Sequence, residues 1–490
     1  MSAATRRRLL LAIVPLFAAV VMLQARQNPV IREMRGRERT PLIGLSTEFI
    51  LGPMLGLGQA VAGLLWVRAD EFFHEGDYDA ILPLVRMITW LDPHQLDVYI
   101  TGAWHLAYNF TDSGHRSDRR YIPPAQALLR EGFHNNPTVY DIAFELGWQN
   151  SDKVRNFHEA EQWFREATVR STTDEQGRKQ PPPMFTWHQL AHSLARQGLI
   201  DESIATWRHV LSLTDAQLKE ARERNDPQAW SLANVRANQL HNLTLTLKRK
   251  FSRFTHEIDF VVDGKQTKSI DMQTGRPSPP NAYLATRPNE GVPIGQPRLP
   301  ALAREWETAF DARVTFPEPM VMEPRGDFAM GDGARVTIRL HDYDWRPTQL
   351  EEFTFRVDQT QTIMIDQHSV RNYAWGRTID MSRDPKMYSF TRPEYFLVFE
   401  FDPRGTSPFI QDRTGWCGEG MTDRRFLVVK RQSNPNSPPV RLIRKVFRLT
   451  RDHILNGAPV TDADIVPNAD YSRIMGEVVL SPTRRAGLAP

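Results

Sequence analysis

Apolar positions in the first half of the chain recur in steps of three and four. Ile81, Val85 and Ile88 lead to Pro93, and the same steps return at Ala125, Leu129, Gly132 and Pro137. They begin again at Ala160, Phe164 and Ala167, and at Ser203, Trp207 and Val210. Such spacing puts each series on one face of a helix. Upstream of each lies a helix carrying a small residue, Ala69, Ala103, Gly147 or Ala191, at distances of 12, 22, 13 and 12 residues from the series that follows. Small side chains at those positions let paired helices approach closely. The enlarged second gap contains NFTDSGHRSDRR, an inserted loop. The acid-rich FHEGDYD of the first unit falls between its two helices. It therefore predicts an interhelical turn closed by Gly76 rather than a catalytic cluster of His74 and Glu75.

The stretch DPQAWSLANVRANQLHNLTLTLKRKF, residues 226–251, predicts one further helix that caps the series, with an apolar face and a basic last turn. Beyond residue 251 the period changes from 3.6 to two. RVTIRL and FTFRV alternate apolar and polar positions, and EYFLVFEFD, RRFLVVKR and VRLIRKVFRL are further β-rich runs. Frequent short strands predict an antiparallel sandwich-like domain. Seven prolines between Pro277 and Pro300 exclude a helix or a central strand, so that stretch reads as a linker.

A repeated helix pair of about 34 residues is the signature of tetratricopeptide repeats. ELGW at 145–148 with HEAEQWFREA at 158–167, and WHQLAHSLARQGLIDESIATW at 187–207, resemble that family, and the resemblance spans roughly residues 58–215. Unit one departs from it with Ile81 where alanine is usual, and unit two departs through its insertion. LLWVRAD, WLDP and AWHLAYN are also similar to a group of N-terminally membrane-anchored bacterial repeat proteins. The resemblance implies a curved solenoid of about four helix pairs plus a cap, with the first helix of each pair lining a concave face. Carried onto this sequence, the groove positions are Trp66, Asp70, Phe73 and His74, then Ile100, Trp104 and Tyr108, then Phe144, Trp148 and Asp152, then His188, His192 and Arg196. An aromatic ladder running into a His/Arg end suits a peptide or helix of a protein partner. It equally suits packing against another part of the same chain.

The N-terminus adds a location. RRR at 6–8 precedes fifteen apolar residues, Leu9 to Leu23, short of a full span but sufficient for a short anchor or an export signal. An uncleaved anchor is the expectation, with the bulk of the chain extracytoplasmic, at the cell envelope. Phe49–Trp66 is uncharged over eighteen residues, but Gly52 and Pro53 interrupt it, and its last part reads as the start of the first repeat helix. The net charge is 61 minus 58, or +3, and eight arginines against two glutamates lie within residues 1–39. No body-wide basic field remains to attract nucleic acid.

Candidate chemistry is sparse. The single cysteine, Cys417, excludes a disulfide framework and an all-cysteine metal site. It lies in a glycine-rich loop, SPFIQDRTGWCGEGMTDRRF, expected to present Trp416, Cys417 and Glu419. RLHDYDW at 339–345 offers Asp342 and Asp344 as oxygen ligands, although aspartate is also common in turns. His188 and His192 lie four apart on one helix without a third ligand. No phosphate loop, hydrolase elbow or zinc motif occurs, so no cofactor, metal or catalytic residue is assigned. The expectation is an α + β multidomain protein: anchor and basic flank (1–40), tetratricopeptide-like helical domain (41–253), Pro-rich linker (254–309), β-rich domain (310–480) and disordered tail (481–490). The expected role is a membrane-tethered scaffold or adaptor that binds a protein or peptide in its groove. The alternative is an envelope enzyme, or a carbohydrate- or lipid-binding β-domain, carried on the helical stalk.

Overall fold

The computed structural model describes residues 58–77, 80–110, 121–173, 179–252, 261–262, 265–266, 306–330, 333–346, 362–382, 390–406, 410–411 and 414–480. The apolar run Leu9–Leu23, the Pro-rich stretch 277–300, the run 351–358 and the tail 481–490 lie outside these residues. Among the described residues no helix is long and apolar enough to cross a membrane. The chain divides into two compact units, residues 1–103 with 134–136, and residues 104–133 with 137–490. The division falls inside the helical half rather than at the Pro-rich stretch.

The first unit contains α1 (Gly58–Glu75), α2 (Ile81–Leu91) and most of α3 (Leu96–Trp104). The described part of Phe49–Trp66 is simply the start of α1, which continues through the charged segment 68–75. Gly76 ends α1 at φ +78°, a left-handed conformation glycine adopts freely. Its amide and that of Asp77 donate to the carbonyls of Phe73 (3.2 Å) and Phe72 (2.9 Å), so FHEGD forms a helix C-cap turn. α2 buries Ile81, Val85 and Ile88, the residues selected by the three–four spacing.

The second unit carries α4 (Ile122–Asn135, all but its last two residues), α5 (Tyr140–Gln149), α6 (Phe157–Thr168), α7 (Met184–Arg196), α8 (Ile200–Glu223) and α9 (Gln228–Ser252). Each of α5 to α9 packs on the helix before or after it in sequence. Gly147 and Ala191 are buried, as are Ala69 and Ala103 of the first unit. A Cβ on Gly147 would lie 2.6 Å from Cδ1 of the Phe164 ring, so the α5–α6 contact admits nothing larger than hydrogen there. Two features escape the 3.6 period. α3 and α5 each run on into a π-helical turn, at His105–Asn109 and Asn150–Val154, the second closed by Arg155 at φ +59°.

Among the described residues the C-terminal part is built mainly from two antiparallel sheets that share one core, with a short parallel pairing of Trp306–Glu307 and Met421–Thr422 in addition. β1 (Asp311–Glu318) pairs with β2 (Val321–Asp327). Across the other side of β2 lie β5 (Ala374–Gly376) and β6 (Ile379–Asp380). The larger sheet runs β8 (Leu427–Lys430), β9 (Val440–Thr450), β7 (Glu394–Phe401), β3 (Arg335–Asp342), β4 (Thr362–Ser369), with β10 (Ile465–Val466) also on β9. β1 alternates as its sequence demands, burying Ala312, Val314 and Phe316. β7 is buried on both faces, which explains its unbroken apolar run. Tyr395, Leu397, Phe399 and Phe401 join the core shared by both sheets, whereas Phe396 and Val398 pack against Tyr471 and Met475. Those last two residues belong to α11 (Asn468–Met475), which with α10 (Arg451–Asn456) is a helical insertion that the strand-rich sequence reading did not anticipate. Arg444 of β9 is buried beside α11, where Glu400 (2.9 Å) and Glu477 (2.7 Å) neutralise it.

Candidate functional site

The positions of the first unit that the sequence predicts to line a groove divide by exposure. Asp70 and His74 are exposed, and Trp66, Phe73 and Ile100 are half-buried. His74 Nδ1 is 2.8 Å from the Asp70 carbonyl and its ring meets Phe73 edge-on at 5.5 Å.

In the second unit two groups of aromatic side chains remain partly open to solvent. Trp104 stacks on Tyr108 with ring centroids 5.9 Å apart, and Lys153 Nζ lies 4.2 Å above the Tyr108 ring. On α5, Trp148 stacks on Phe144 at 6.4 Å, and Phe144 meets Phe185 of α7 edge-to-face at 4.8 Å. Tyr140 also meets Phe185 edge-on at 6.0 Å. Trp104, Trp148 and Phe185 keep 45%, 37% and 42% of their surface in water, high values for the largest apolar side chains. Phe185 was not among the groove positions picked from sequence, because it begins α7 one turn before the repeat phase resumes at His188.

Carboxylates share this face. Asp141, Phe144, Glu145 and Trp148 are spaced by three, one and three residues along α5 and so lie within one arc of it. Glu145 is half-buried and has no hydrogen-bond or ion-pair partner among the described residues. Burial, and secondarily the negative charge of Asp141, push its carboxyl up to about 7. Tyr140, at the start of the same helix, is pushed up to about 12, again by burial first and Asp141 second.

The His/Arg end has different surroundings. His188 Nε2 lies 2.9 Å from Gln239 of α9, and its ring packs on Trp207 at 5.3 Å. His192 meets the same Trp207 ring edge-on at 5.1 Å. His192 is deep-set, and burial, assisted by the positive charge of Arg196, lowers it to about 3, so it is neutral at physiological pH. Arg196 donates to Ser151 Oγ and lies over the Phe157 ring. Its guanidinium is 3.5 Å from where a side chain on Gly405, from the β-rich region, would begin. Asp152 is exposed. Among the described residues no three His, Cys, Asp or Glu side chains are grouped to hold a metal ion.

A polar clamp joins this end of the helices to the β-rich region within the second unit. Gln432 Nε2 donates to the Gln197 carbonyl (3.1 Å) and the Pro438 carbonyl (2.7 Å), and its oxygen accepts from Arg404 Nη1 (2.9 Å). Asn434 Nδ2 donates to Gln197 Oε1 (3.2 Å) and Glu161 Oε2 (3.4 Å). Gln197 Nε2 in turn donates to Glu161 Oε2 (2.9 Å). Arg404, fixed by Asp402 (2.8 Å), covers the Phe157 ring at 4.9 Å. Burial alone would raise the Asp402 carboxyl, but the Arg404 charge overrides it and holds the group at about 2.

The glycine-rich loop is part of the same contact, and here the structure corrects the expectation from sequence. Cys417 is not presented but fully buried, packed with Val428, Val440 and Leu442. Burial, reinforced by Glu419, pushes its thiol far above the ordinary cysteine range, opposite to what a nucleophile requires. Asp342 and Asp344 flank a turn and face Arg392, at 3.9 and 3.5 Å, as ion-pair partners.

The sequence matches no protein-family model and no curated protein.

Proposed function

We propose that the protein is a membrane-tethered scaffold that seats a segment of a protein partner on the aromatic face of its helical repeats. One observation carries the reading: Trp104, Trp148 and Phe185 are large, rigid and exposed, and each is braced by a second ring that fixes its orientation. Buried tryptophan and tyrosine anchors dominate the energetics of interfaces, and pre-set rings lose little entropy on binding. The tetratricopeptide-like architecture and the anchor at Leu9–Leu23 belong to this proposal, and they support it through the sequence pattern. Because His188, His192 and Arg196 are engaged by Trp207, Gln239, Ser151 and Phe157, the working surface is narrower than the full groove. It centres on Trp104, Tyr108, Phe144, Trp148 and Phe185.

The test is co-purification from membranes of wild-type protein and of a Trp104→Ala, Trp148→Ala double variant, with a melting curve for each. Loss of a defined partner at unchanged melting temperature supports the reading, since truncating an anchor costs about 2 kcal/mol or more. Equal capture by both proteins removes this face as the binding surface.

A further inference from the structure

The partner's chemistry can be read from a carboxylate on this face that has no partner among the described residues. Elsewhere in the second unit, part-buried carboxylates are matched: Asp402 by Arg404, Glu477 by Arg444 and Lys430, Glu161 by Gln197 and Arg165. Glu145 is not matched. It has no hydrogen bond or ion pair among the described residues, and the charge acting on it is the acid Asp141 one turn earlier. A half-buried carboxyl without a partner is costly to keep. Glu145 shares one arc of α5 with Phe144 and Trp148, and Phe144 in turn meets Phe185; such rings attract cations through their quadrupoles. A part-buried, unpartnered carboxylate on the same helix arc as a partly exposed tryptophan suits a guanidinium or ammonium group. The neighbouring ring pair illustrates the preference, since Tyr108 already carries Lys153 at 4.2 Å.

We infer that the α5 face formed by Asp141, Phe144, Glu145 and Trp148 binds an arginine or lysine side chain projecting from a partner peptide. This rests on the reading of the aromatic face as the binding surface and adds the charge of its ligand. An acidic peptide is disfavoured on the same surface by two carboxylates, and an uncharged one leaves Glu145 unsatisfied.

The probe is a fluorescent peptide of alternating arginine and leucine, together with its twin in which citrulline replaces every arginine. Binding of each to the full chain in detergent is followed by anisotropy. The arginine peptide should bind about tenfold or more tightly than the citrulline peptide, the factor expected of a charge-assisted hydrogen bond. Glu145→Gln, which preserves shape, should bring the two peptides to within about twofold of each other, and Glu145→Lys should disfavour the arginine peptide. Trp148→Ala should weaken both peptides. If both peptides depend on Trp148 but their ratio is unchanged by Glu145→Gln, the cation receptor is refuted while the aromatic binding face stands. If neither peptide binds, or Trp148→Ala changes nothing, both readings fall.

Discussion

Replacing Glu145 with glutamine should make the protein more stable at neutral pH, against the usual direction for a part-buried position. The carboxyl ionises at about 7 in the folded chain rather than at its ordinary 4.5. Between those pH values the folded state retains a proton that the unfolded state has released, so stability falls as pH rises from about 4.5 to about 7 and stays reduced above. Each pH unit of difference is worth about 1.36 kcal/mol, which sets a ceiling of about 3.4 kcal/mol. Glu145 is only half-buried, so water returns much of this, and about 1–2 kcal/mol is the expected penalty. Glutamine fills the same volume with no charge to desolvate. Thermal or urea unfolding at pH 4.5 and at pH 8 gives the measurement: the variant and wild type should be nearly equal at the lower pH, and the variant more stable at the higher. A destabilised variant at pH 8 would mean that Glu145 is already paired in the folded protein, and the cation receptor would lose its physical basis.

Four further outcomes follow from the packing. Gly147→Ala should cost about 1–3 kcal/mol in urea unfolding, because the new methyl would meet the Phe164 ring at 2.6 Å, whereas alanine in an ordinary helix interior is stabilising. Gly198→Ala should destabilise for two reasons, the left-handed φ of +79° and a Cβ placed 2.6 Å from Pro438 and 2.9 Å from Cys417, and a circular-dichroism melt reads it. Asp402, held at about 2 by Arg404, contributes stability that is present above its ordinary 3.8 and lost as pH falls from about 4 to about 2; Asp402→Asn should flatten that part of the acid-unfolding curve. Cys417 should resist maleimide in the folded protein and react at once in urea, and rapid native labelling would contradict its burial.

How much of this was legible in the sequence depends on the range of the interaction. The three–four steps located Ile81, Val85 and Ile88 on the buried face of α2, because helix geometry is local, whereas Trp104 and Trp148, which are partly exposed, were singled out by the family resemblance. Gly76 as a helix terminator and the alternation of β1 were readable for the same reason. The polar clamp was not. Gln197, Gln432 and Asn434 are ordinary surface types until chain segments more than two hundred residues apart meet, and only that meeting makes them buried. His192 and Arg196 had the spacing of groove residues, but Trp207, Ser151 and Phe157 engage them. Glu145 lies inside the ELGW motif, where a glutamate on a helix attracts no notice; its significance is that it has no partner among the described residues, which the sequence cannot show. The short α10 and α11 sit where β-rich runs dominate, and α11 forms because the outer face of β7 needs a cover for Phe396 and Val398.

The most direct test of the binding face is position-specific crosslinking. Benzoylphenylalanine is placed at position 148, and separately at Gln162, an exposed position on α6, and intact membranes are irradiated. A discrete crosslinked peptide bearing arginine or lysine next to the modified residue, obtained from position 148, absent from 162 and lost when Glu145→Gln is added, is the predicted result. A crosslink from 148 only to residues of the same chain would contradict the account, because the aromatic face would then be an internal contact.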